Sequence, residues 1–437
     1  MPCLFFTAHT LHDTQKLLEK LNLRDQVQED NANIETTVAN ILEDVKTNGL
    51  EAVVNYTRKF DAPNFSHKQF LSTEKHLDAA LASIPSNDLA IIKQAIENID
   101  IFHREQKEHS WIITKEDGSL LGQRHTPVDR AGLYVPGGKG GSTPLISSLL
   151  MNAIPAIVAG VKEIAVISPP QQDGLINPYI LACAKLLGIR EVYAAGSAWG
   201  IGALAFGAGE LRPVDVIAGP GNIFVTTAKR MLIGKVGIDM IAGPSEILVL
   251  ADAGANPAWV AADMLSQAEH DPLASAICLC TDLTLCESII QELKKQVETL
   301  PRAKIAAESL EQFGAVIYTP EIDTAIEICN AIAAEHLELL VAEPFPIAAK
   351  VRHAGAIFMG YYAAEPLGDY FAGPNHVLPT MGTARFSSAL GVDTFCKKTS
   401  IIFPSKKFAA ENSENIARLA RLEGLEGHAR SALFRQK

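Results

Sequence analysis

Apolar positions in the first ~125 residues recur at helical spacing: Val38, Ile41, Leu42 and Val45 form one stripe, and Ala80, Ile84, Leu89, Ile92 and Ile96 another. This part reads as a mainly helical scaffold without a catalytic cluster. From Arg130 the pattern changes to short apolar runs alternating with amphipathic stretches. Residues 131–135 predict a strand entering the turn Pro136-Gly-Gly-Lys-Gly-Gly-Ser142, and 162–168 a buried strand stopped by Pro169 and Pro170. A helix over 178–187 ends at Gly188, and a strand starts at Glu191. A further strand over 214–218 breaks at Gly219-Pro-Gly-Asn222 before another helix.

A second set follows. Strands are predicted over 246–252, 274–281, 314–318 and 356–359, with helices over 257–269 and 285–300. The chain ends in an amphipathic helical tail over 409–433. Strands alternating with helices imply βαβ units. The expected fold is α/β: two lobes with parallel-rich sheets plus a helical C-terminal tail.

At ~150 residues per domain, 437 residues allow two or three domains. A net charge of −12 argues against nucleic acid or an anionic membrane as the main partner. The opening run lacks the basic region of a signal peptide. The most apolar long stretch, 149–168, is interrupted by Asn152, Pro155, Lys162 and Glu163, so it reads as core and not as a membrane span. The cysteines are odd in number and scattered without a CxxC, which fits the cytoplasm. Cys278 and Cys280 share one strand face and read as buried thiols, with no second Cys/His pair nearby to complete a metal site.

The turn after Val135 has the position of a phosphate-binding loop, since glycines let backbone N–H groups approach an anion. It matches neither GxGxxG nor GK[ST], so a plain strand-to-helix turn remains the simpler account. Gly219-Pro-Gly-Asn222 ends another strand, where open α/β sheets bind ligands. Gln267 and His270 lie i,i+3 at a helix end, where a histidine also serves as a dipole partner. Asp369 and His376 fall in a turn-rich segment that is equally readable as an Asx-type turn with a surface histidine. His428 sits on what reads as a solvated helix face. Gln267, His270, Asp369 and His428 together offer N and O donors suited to a zinc-like metal, but spacing alone cannot join them. Glu335 and His336 could supply two bases. Adjacent residues diverge on helix or strand, so both reach one site only from a terminus or loop.

Eight motifs in order resemble the histidinol dehydrogenase family. They are Tyr134-Val-Pro-Gly-Gly, Met151-Asn-Ala-Ile-Pro-Ala, Gly219-Pro-Gly-Asn222 and Gly243-Pro-Ser-Glu-Ile-Leu-Val, then Gln267-Ala-Glu-His270-Asp, Glu335-His336-Leu-Glu-Leu, Gly368-Asp369-Tyr-Phe-Ala-Gly-Pro-Asn-His376 and Glu423-Gly-Leu-Glu-Gly-His428-Ala. The resemblance implies a zinc-dependent enzyme that oxidises L-histidinol through L-histidinaldehyde to L-histidine. Two NAD are reduced, in the last step of histidine biosynthesis. Gln267, His270, Asp369 and His428 would be the zinc ligands, Glu335 the activator of water and His336 the base. Ser245, Glu365, His376 and Glu423 would line the substrate site beside the zinc ligands and His336, and Tyr134 and Asn222 would contact NAD. The resemblance also implies two Rossmann-like lobes: 1–127 with 246–389 for catalysis and metal, and 128–245 for NAD. Residues 390–437 would cross to the partner of a cytoplasmic homodimer.

The chain departs from the family pattern in three places. Trp199 stands where a Gln usually contacts NAD, the loop after Gly138 is longer than usual, and Ala334 replaces a Pro before the Glu-His pair. Two rival readings follow. A dehydrogenase of another small polyol or amino alcohol is disfavoured by Glu365 with His376. A non-catalytic zinc- or nucleotide-binding relative is disfavoured by Glu335 with His336.

Overall fold

The computed structural model describes residues 3–24, 31–137 and 143–436, so the longer loop at 138–142 lies outside the described residues. After β1 (Leu4–Thr7) come helices, then β2 (Trp111–Thr114) and β3 (Leu120–Pro127). β4 (Arg130–Tyr134), β5 (Glu163–Ser168), β6 (Glu191–Ala194), β7 (Val216–Ala218) and β8 (Gly237–Ile238) form a parallel sheet in the order β6-β5-β4-β7-β8. β9 (Glu246–Ala251), β10 (Ser275–Cys280), β11 (Gly314–Tyr318), β12 (His336–Leu340) and β13 (Ala356–Met359) repeat that order as β11-β10-β9-β12-β13, with β1 added beside β11. β14 (Cys396–Phe403) pairs antiparallel with β3, which pairs with β2, in a small third sheet.

The α/β, parallel-rich architecture expected from the sequence is present. β4, β9, β10 and β12 are buried at every position, because helices cover both faces of each parallel sheet. Double-sided burial explains why these strands are continuous apolar runs instead of alternating ones.

One expectation changes. The helices between Asn31 and Arg104, grouped by the sequence reading with 246–389, pack on the first sheet instead. Val38, Leu42, Val53, Phe65 and Ile99 share one core with Leu133, Ile167 and Ile201, and from this N-terminal part it is β1 that joins the second sheet. The C-terminal tail is helical, as expected, and consists of two helices. Lys406–Leu422 and Glu426–Leu433 are separated by Gly424, whose φ of 75° is a left-handed conformation that glycine adopts without strain. Among the described residues no helix is long and apolar enough to cross a membrane.

Candidate active site

A cavity of about 380 Å³ lies where the C-terminal ends of the first sheet face the N-terminal ends of the second. Pro136, Pro220, Gly221 and Asn222, which follow β4 and β7, wall one side. Ser245, Glu335 and His336 wall the other, at the starts of β9 and β12. Asn222 caps the helix Ile223–Met231 by accepting from Phe224 N and Val225 N, which fixes the turn at the rim.

Two helices supply a further part of the wall. Gln267 lies in the last turn of Pro257–Ala268 and His270 just beyond it, so the i,i+3 pair reaches the same cavity. Glu365 and Asp369 are one turn apart on Glu365–Tyr370. Ser266 Oγ donates to Glu365 Oε2 at 2.8 Å, and His376 Nδ1 meets the main-chain oxygen of Asp369 at 3.0 Å. One donor atom each from His336, Glu365 and Asp369 lies within 4.8 Å of the others.

Glu335 ends the loop before β12 and His336 begins the strand. That terminal placement lets adjacent side chains share one site, as the spacing argument required. His336 Nδ1 donates to the carbonyl of Glu246 at 2.9 Å. Its buried Nε2 has no hydrogen-bond partner and stands 3.8 Å from Asp369 Oδ1. The neutral tautomer therefore offers an acceptor nitrogen on the Asp369 side. Glu335 Oε2 accepts from Glu246 N at 2.9 Å.

Electrostatics follow from burial and crowding. Burial pushes the Glu335 carboxyl up to about 8, against the opposing pull of His336. Burial disfavours charge on His336, but Glu335, Asp369 and Glu365 outweigh it and raise the ring to about 9. Burial works against the Asp369 charge too, yet His336 and His376 hold it below the ordinary carboxylate range. Gln267 Oε1 is buried without a partner. A buried acceptor left unsatisfied beside a histidine and an acid is the donor chemistry a divalent cation takes up.

The family model "Histidinol dehydrogenase" matches residues 24–436. Histidinol dehydrogenase of Nitratidesulfovibrio vulgaris is 59% identical, covering 100% of this chain and 99% of its own. That of Bacillus subtilis is 49% identical over 96% of this chain and 97% of its own. The crystal structure of histidinol dehydrogenase from Elizabethkingia anophelis superposes with a TM-score of 0.89 at 35% identity, over 99% and 98% of the two chains. The chain belongs to the histidinol dehydrogenase family. It is accordingly an oxidoreductase of histidine biosynthesis.

Within this histidinol dehydrogenase fold, the residues the resemblance singled out do not all meet. Ser245, Gln267, His270, Glu335, His336, Glu365, Asp369 and His376 line the cavity, as does Asn222. Glu423 and His428 are exposed on the tail and stand outside its wall. Tyr134 is buried, and its hydroxyl accepts from Ser197 N at 3.1 Å, so its ring is part of the lobe's interior. Trp199 also belongs to the core: its indole N–H donates to Thr57 Oγ1 at 3.1 Å, and its ring stacks near Phe60 and Tyr56. A buried indole held in this way packs the lobe and does not line the cavity. Glu246 and Arg24, which bear on the two bases, escaped the sequence reading. Glu246 follows Ser245 directly, and that adjacency was the available signal.

Proposed function

We propose that this chain oxidises L-histidinol to L-histidine in two steps, with both bases and the metal-binding residues in the cavity between its sheets. The observation that carries the reading is His336, whose unpartnered Nε2 stands 3.8 Å from Asp369 while its Nδ1 side stands 3.8 Å from Glu335. In the first step His336 Nε2 takes the hydroxyl proton as hydride leaves the carbinol carbon. In the second, Glu335 takes a proton from water as it adds to the aldehyde carbon, and a second hydride then leaves the hydrated carbon. Glu365 and His376 hold the substrate's cationic amine and its imidazole. NAD, when bound along the Gly219–Asn222 rim, supplies the hydride acceptor for each step.

Gln267, His270 and Asp369 would hold zinc, with His428 contributed by the tail of a partner subunit. Zinc supplies a template that orients the substrate's nitrogens. Exposed apolar side chains support a dimer: Trp111, Ile112, Ile113, Ile402 and Phe403 on the small sheet, with Leu419, Leu422 and Phe434 on the tail. Mixing His428→Ala with Glu335→Gln subunits should restore part of the activity that each homodimer lacks. No recovery after verified mixing would sink tail exchange. The division into an NAD lobe around 128–245 and a catalytic lobe around 246–389 belongs to the same proposal, as does a cytoplasmic location.

Purified protein with zinc, NAD and histidinol should yield two NADH per histidinol consumed. One NADH, with aldehyde released, would refute the role of Glu335. Turnover of other amino alcohols or diols but not of histidinol would refute the substrate.

A further inference from the structure

Behind the two bases lies a buried ion pair that the reaction does not itself require. Glu246 opens β9 and Glu335 precedes β12; the strands are parallel neighbours with Ile247 opposite His336, so the two glutamates lie abreast. Their contacts are reciprocal. Glu246 N donates to Glu335 Oε2 at 2.9 Å, and Glu335 N donates to Glu246 Oε2 at 3.3 Å. The Glu246 carbonyl also receives His336 Nδ1. One residue thus touches both bases, through three different groups.

Glu246 is itself held by Arg24, which is 1% exposed and ion-paired with Glu246 Oε1. Arg24 Nε donates to the Leu21 carbonyl at 3.1 Å and Nη1 to the Leu273 carbonyl at 3.4 Å, and its guanidinium lies 5.9 Å from the Phe313 ring centre. The guanidinium fork is therefore tied to the segment entering β10 as well as to Glu246. A planar, multiply bonded guanidinium transmits position in a way a lone ammonium would not. Buried pairs add little net stability, because desolvation offsets their attraction. Position is the better explanation for this one.

We propose that the Arg24–Glu246 pair is a positioning device for Glu335, holding its carboxylate where water must be activated. The inference rests on the proposed role of Glu335 in the aldehyde step. The Glu246 carboxylate accepts from Glu335 N, whereas His336 is bonded to the Glu246 main chain, so a change in the Glu246 side chain should shift Glu335 first and separate the two half-reactions. Misplacing a catalytic group by about 1 Å can reduce its rate by roughly 100-fold.

The test measures alcohol and aldehyde oxidation separately in zinc-loaded Arg24→Met, Arg24→Lys and Glu246→Gln, with histidinol and histidinaldehyde as alternative substrates. Glu335→Gln is the benchmark and should slow the aldehyde step far more than the alcohol step. Arg24→Met and Glu246→Gln should show the same imbalance, with kcat for the aldehyde falling roughly 10- to 100-fold, KM little changed, and Arg24→Lys recovering part of it. Parallel loss of both half-reactions together with a lower Tm would overturn the proposal in favour of a purely structural pair. An unchanged ratio in a folded variant would overturn it as well. If Arg24→Met does not fold, the nearly isosteric Glu246→Gln carries the same test. If Glu335→Gln lacks the imbalance, the proposed role of Glu335 fails, and the positioning role falls with it.

Discussion

The two parallel sheets share one strand order but treat their crevices differently. In each, the first and fourth strands of the unit, β4 with β7 and β9 with β12, lie side by side where the strand order reverses, and open α/β sheets bind ligands at the carboxyl edge of that point. In the first lobe that edge stays open, and Pro136, Gly221 and Asn222 face a cavity. In the second lobe the chain closes it. Asp252, just after β9, accepts from Gly254 N at 2.9 Å, Ala342 N at 2.9 Å and Tyr361 Oη at 2.8 Å. A Cβ on Gly254 would stand 2.2 Å from Tyr361 Oη, so the closure is tight. The second lobe instead contributes its opposite edge, where β9 and β12 begin. Shared topology supplies two possible sites, and side chains decide which edge is used.

The largest effect should come from the edge that carries the bases. His336→Asn is expected to reduce alcohol oxidation by roughly 10³-fold while leaving zinc content unchanged, read by NADH formation and metal analysis. Metal loss in that variant would show that His336 is a ligand and not a base. Both bases must be unprotonated to act, and Glu335 and His336 are raised to about 8 and about 9. The wild-type kcat/KM should therefore climb as pH rises from 7 through 9. A flat profile would contradict the crowding of carboxylates around the ring.

A smaller, paired effect tests the two crevices directly. Asn222→Ala removes a helix cap worth about 1 kcal/mol at the open edge and should raise the KM for NAD several-fold. Asp252→Asn removes an acceptor from the closed edge. It should lower Tm through the hydrogen bonds it weakens and leave the KM for NAD unchanged. The reverse pattern would mean that NAD uses the second lobe.

The strands between 131 and 359 were legible where helices bury both faces, because their sequences are unbroken apolar runs. β1, β2, β3 and β14 were not. β2 is exposed at every position and β14 at most, so neither carries a strong apolar period, and β14 contains Lys397 and Lys398. β12 was obscured by its own chemistry, since Glu335, His336 and Glu338 interrupt the run. Among the site residues, motif order picked out nine of the cavity wall, from Asn222 to His376, but not Leu145, Ser147 or Ser148, whereas residue spacing could not link Gln267 to Asp369. Arg24 was hidden for the opposite reason: a lone arginine near a chain terminus carries no pattern, and only packing shows that it reaches Glu246. Tyr134 and Trp199 show the limit of motif transfer, because the motif places a residue along the chain but not the direction of its side chain.

The smallest effect concerns two aspartates, one in each lobe. Asp252 has three donors, whereas Asp61 Oδ2 in the first lobe is buried without a partner, near Gly196 and Trp199. Burial raises the Asp61 carboxyl from 3.8 to about 6. In the unfolded chain the group ionises near 3.8; in the folded protein it keeps its proton until about pH 6. Stability is therefore undiminished below the lower value, declines between the two, and carries the full penalty above pH 6. Asp61→Asn removes that penalty, so its Tm should exceed wild type by about 1–3 °C at pH 7.5, with the advantage shrinking below pH 6 and vanishing near pH 4. Asp252→Asn should move Tm the opposite way. If both substitutions destabilise at pH 7.5, Asp61 has an interaction that its surroundings do not reveal, and the contrast between a satisfied acid in the closed lobe and a strained one in the open lobe disappears.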